Sequence, residues 1–97
     1  MLLLPATVTL AEARATLHML AQALARESGA QVTLDASGVE RFDTSALAVL
    51  LECRRLAQAD GRRFAVRRMP APLAALARLY GVDALLVDAD VQSAAGR

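Results

Sequence analysis

Short apolar runs alternate along this chain with longer stretches in which apolar residues recur every three or four positions, a pattern that predicts strands interleaved with helices. Residues 2–4 read as a strand. Thr9 and Glu12 then have the spacing of a capping box, in which hydroxyl and carboxylate each serve an orphan amide, so a helix should start near Leu10. Its stripe is Ala13, Leu17, Leu20 and Leu24, and Gly29 is its stop signal. Over residues 31–36, Val32, Leu34 and Ala36 alternate with polar neighbours, which predicts a strand. A second helix is expected over 44–59 with Gly61 as its stop, followed by a strand over 63–67. Pro70 and Pro72 lead into a third helix that carries Leu73, Leu76 and Tyr80 and ends before Gly81. Residues 84–87 suggest a last short strand, and residues 88–97, small and polar, read as a flexible tail. Strands separated by helices need crossover connections, so the expectation is one α/β domain over 1–97, a small mixed or parallel sheet with helices packed against it.

The second helix holds the candidate chemistry. At 100° per residue, Ala46, Val49, Leu50, Cys53, Leu56 and Ala57 gather on one side, the expected core face. Leu47, Ala48 and Leu51 fall toward the side of Glu52, Arg54, Arg55 and Gln58, which predicts exposed apolar surface rimmed by charge, a common mark of an interface. The bland alternative is that a loop covers them or that they are scattered surface residues. Thr44 and Ser45 stand where this helix begins, and unpaired N–H groups with the helix dipole would favour a phosphate there. The competing reading is that Thr44 or Asp43 simply caps the helix. Asp35, before the turn, is expected to cap or hydrogen-bond the loop.

Composition narrows the function classes. Ninety-seven residues, 56% of them hydrophobic, suffice for one small core. Eleven arginines against ten acids leave a net charge of +1, a poor electrostatic footprint for a nucleic-acid binder. The arginine pairs 54/55, 62/63 and 67/68 still make a nucleic-acid module the weaker alternative, opposed by interleaved Glu52 and Asp60 and by only three aromatics. A single cysteine excludes an intrachain disulfide framework and makes the cytosol the default compartment. Residues 1–10 lack a basic lead and are interrupted by Pro5, so they read as strand and turn rather than signal peptide. No uncharged run reaches the roughly 18 residues of a membrane span. His18 falls on the outer side of the first helix without a companion at ligand spacing, and Cys53 falls on a core face. No catalytic, metal or cofactor motif is present, and an enzyme is not expected.

The residues Leu34, Asp35, Ser37, Gly38 and Val39, then Asp43, Thr44, Ser45 and Leu47, resemble the signature of STAS domains, the small domains of anti-sigma factor antagonists and sulfate-transporter tails. Coarse similarity extends over most of the chain, and LARLYGV looks like the closing helix of one subgroup, the cytoplasmic STAS subunits of Mla-type phospholipid ABC transporters. That resemblance implies a non-catalytic subunit that binds and supports the transporter ATPase. The domain would then be cytoplasmic and peripheral to the inner membrane through its partner. Thr44, Ser45, Leu47, Ala48, Leu51, Arg54 and Arg55 would make the contact. Similarity to the antagonists implies instead a partner kinase that phosphorylates Thr44 or Ser45. Two departures stand out. Ala46 occupies a position where the family commonly has glycine, and the front of the domain is short for the family's N-terminal β-hairpin, so an edge strand is expected to be missing.

Overall fold

The computed structural model describes residues 1–86. In chain order the elements are β1 (Leu2–Leu3), β2 (Thr7–Val8), α1 (Leu10–Arg26), β3 (Gln31–Asp35), β4 (Arg41–Phe42) and α2 (Thr44–Ala59). They are followed by β5 (Arg63–Arg67), α3 (Ala71–Leu79) and α4 (Asp83–Leu86). The main sheet has the order β1-β3-β5 and is parallel throughout, with Leu2 beside Leu34, Val32 beside Phe64 and Leu34 beside Val66. A second, two-stranded parallel ladder joins β2 to β4. Parallel neighbours require crossovers, and α1 and α2 supply them.

Residues abreast in a parallel pair share a face. Leu2, Val32, Leu34, Phe64 and Val66 therefore line one side of the sheet, all of them buried in a single core with Leu20 and Leu24 of α1 and Leu50, Cys53 and Ala57 of α2. Leu3, abreast of Asp35, points the other way and is exposed, while Thr33 on the same face is half-buried. The helix α2 touches β5, α1 and α4, so it is the central packing element.

Both ends of the long helices form as local chemistry dictates. The Glu12 carboxylate accepts the Thr9 backbone N–H at 2.9 Å and also takes the Thr9 hydroxyl, starting α1. At the end of α2, Gly61 (φ 74°) donates to the carbonyl of Gln58 and Arg62 to that of Ala57, the paired bonds of a Schellman stop. Gly81 (φ 72°) and Val82 end α3 the same way.

One expectation is corrected here. The strand expected over 84–87 is instead the single helical turn α4 across its described residues, because after the Gly81 stop Leu86 turns inward to full burial; a short apolar run carries no period long enough to tell strand from helix. Val87 and the tail at 88–97 lie outside the described residues. The strand expected over 2–4 is present as β1, and no antiparallel N-terminal hairpin occurs among the described residues. Leu2 and Leu3 themselves form a two-residue edge strand parallel to β3, extended by the Leu4 N–H to the Asp35 carbonyl at 3.0 Å.

Candidate functional site

The starts of α1 and α2 converge, and one side chain joins them. Val8 and Phe42 are abreast in the β2–β4 ladder, so the residues that follow them, Thr9 and Asp43, begin their helices side by side. The Asp43 carboxylate accepts the Ser45 N–H at 2.8 Å through one oxygen and the Leu10 N–H at 3.0 Å through the other. It therefore caps α2 while also accepting from the first residue of α1. The Leu10 and Ser45 amides, in that order, hold its pKa below the ordinary carboxylate value. The carboxylate already fills part of the place in which a free phosphate would have been favoured.

Around this junction the expected partner-facing residues separate. Thr44 and Ala48 are exposed, and Ser45 is half-buried. Leu51 is half-buried against the core. Arg54 is half-buried, and Arg55 is exposed and forks onto Glu52, its Nε donating at 2.9 Å; a pair this exposed contributes little to stability. Leu47 departs from expectation, because only 4% of it is accessible and it belongs to the core. An arc drawn for one-sided burial is too narrow for a helix packed by β5, α1 and α4. Leu47 is therefore no part of an exposed patch.

Of the three residues expected to form that patch only Ala48 is exposed, and the apolar hollow beside it has other members. Between α1 and α2 runs an open groove of about 300 Å³, lined by Leu10, Ala13, Arg14 and Leu17 of α1 and by Ser45 and Ala48 of α2. Sequence reasoning missed Leu10 and Arg14. Leu10 is 76% exposed, and its spacing to Ala13, Arg14 and Leu17 follows one helix face, a signal that lies in the chain but ahead of the stripe assigned to the core.

The remaining candidates are structural. Asp35, buried at the end of β3, accepts the Ser37 N–H at 2.8 Å and pairs with Arg68 at 3.7 Å; the Ser37 bonds foremost keep its pKa low. This is the loop role expected of it. Arg62 turns beneath the end of α1 and donates to the carbonyls of Leu24 (3.0 Å) and Glu27. Burial pushes the Cys53 thiol up to about 11, so it is not poised as a nucleophile. His18 is exposed on α1. Among the described residues no cluster of three His, Cys, Asp or Glu is placed to hold a metal ion, and no helix is long and apolar enough to cross a membrane.

A parallel sheet with helical crossovers, and a hydroxyl pair opening the helix after an aspartate cap, are compatible with a STAS-type protein-interaction module. A family model described as "Mlab, STAS domain" matches residues 2–88, and the chain belongs to this family, whose domains are generally non-catalytic. No curated protein matches the chain.

Proposed function

We propose that this domain is the non-catalytic STAS subunit of an Mla-type phospholipid ABC transporter, docking on its ATPase subunit at the cytoplasmic face of the inner membrane. What supports this is an exposed apolar groove running past Ser45 and Ala48 on a domain of the Mlab STAS family. A carbon-rich hollow beside a hydroxyl-bearing helix start suits a protein partner that buries an apolar side chain and hydrogen-bonds the rim. The contact then comprises Thr44, Ser45, Ala48 and Leu51, flanked by Arg54 and Arg55. The test is affinity for the purified transporter ATPase. Thr44→Glu places a charge at the rim and weakens binding by about tenfold or more; unchanged affinity removes Thr44 from the contact.

A second reading rests on one observation: of the two hydroxyl residues, Thr44 is the exposed one and so the more accessible to a kinase. In that reading the domain is an anti-sigma factor antagonist, and a phosphate on Thr44, next to the Asp43 carboxylate, repels an acidic partner surface. Mass spectrometry of proteins retained from native lysate separates the two: a transporter ATPase in the first case, a kinase or phosphatase in the second.

A further inference from the structure

Among the described residues Arg14 is the only charged one lining the groove between α1 and α2. The positions that could neutralise it along its own helix are Leu10, Ala11, Leu17 and His18, none of them acidic. Glu12, two residues away, faces the other flank of α1 and is engaged with Thr9. Across the groove stand Ser45, Ala48 and Val49; of the carboxylates flanking them, Asp43 holds the Leu10 and Ser45 amides and Glu52 is taken by Arg55. Among the described residues Arg14 thus has no ion-pair partner, although it sits at the edge of an apolar hollow where a paired carboxylate would be partly shielded from water.

We infer that the groove receives an acidic amphipathic segment of the partner protein: an apolar side chain seats between Leu10, Leu17 and Ala48, and a neighbouring Asp or Glu pairs with Arg14. The guanidinium then sets the register in which the segment lies, since sliding by one residue would strand the carboxylate over apolar surface. This rests on the docking surface proposed above and adds the chemistry of what docks.

The experiment measures binding of the full chain to the purified transporter ATPase by calorimetry, with circular dichroism confirming that each variant folds. Arg14→Glu weakens binding by about tenfold or more, whereas Arg14→Lys retains most of the affinity. Raising salt from about 0.05 to about 0.5 M weakens the unaltered domain more than Arg14→Ala. Ala48→Trp, which fills the groove, removes binding in any salt. If Ala48→Trp removes binding while Arg14→Glu leaves it intact, the groove is the docking surface and the acidic partner chemistry is wrong. Failure of the unaltered domain to bind overturns the proposed function and the inference with it. A dimer in sedimentation that Ala48→Trp dissociates gives the groove to a second copy of this chain and overturns the inference.

Discussion

Two hollows of nearly equal size flank α1, and they differ in what their single charged residue is doing. The groove toward α2, about 300 Å³, carries Arg14, which has no partner among the described residues. The hollow on the opposite flank, about 280 Å³, is lined by Pro5, Thr7, Glu12, Ala15, Thr16 and Met19, and its charge is Glu12, already engaged with the Thr9 amide and hydroxyl at the helix start. Size and apolar character do not separate the two. A charge spent inside the fold contributes to folding, and a charge left over at an apolar rim is available to a partner.

The comparison breaks or holds most sharply at the boundary between core and groove. Leu47→Ala should destabilise the domain by about 2–4 kcal/mol in urea unfolding, the cost of a cavity at a buried leucine. A loss below about 0.5 kcal/mol would return Leu47 to the surface. Its neighbour should behave oppositely: Ala48→Glu leaves the unfolding midpoint nearly unchanged and lowers affinity for the transporter ATPase by about tenfold. Ala15→Glu, placing the same charge in the opposite hollow, should leave that affinity unaltered; equal losses from both would erase the distinction.

The helix starts themselves provide a smaller and pH-dependent contrast. Thr9→Ala removes part of the α1 cap and should cost about 1 kcal/mol. Asp43 has a folded pKa below its ordinary 3.8, so its contribution is complete above that value and is lost as the pH falls through the folded value. Asp43→Asn should therefore lower the melting temperature at neutral pH and flatten the decline of stability as the pH falls below about 4. A decline as steep as that of the unaltered domain would show that the carboxylate is not what holds Leu10 and Ser45. The smallest effect concerns Cys53, which iodoacetamide should leave unmodified at neutral pH in the folded domain and label on unfolding.

What the sequence made legible follows the length of each signal. The bounds of α2 and β5 coincide with expectation because each is a sustained pattern with a glycine stop or a charged boundary. The capping box of α1 and the loop role of Asp35 were equally readable, being local in the chain. The failures were non-local. Leu47 is buried where the helix period predicts exposure, because what surrounds α2 is a property of the assembled layers. The run 84–87 suggests a strand only because four residues cannot show a period, and its described part is helical. The groove escaped notice because half of it belongs to α1, and nothing in a linear pattern brings Leu10 against Ser45. That meeting depends on the β2–β4 ladder and on Asp43, which spans 33 residues to reach the Leu10 amide.

Arg62 gives the arrangement a kinetic side. Its hydrogen bond to the Leu24 carbonyl closes a loop of 38 residues, so the last turn of α1 acquires this partner only after the chain has passed through β3 and the whole of α2. A nascent chain that has not yet added residue 62 holds α1 with that end unfinished, and the first crossover is completed by the second. Asp43 ties the two helices at their beginnings and Arg62 ties them at their ends, so α1 and α2 should open and close together, as one protected unit in amide hydrogen exchange, with the groove between them held at fixed width in the native state.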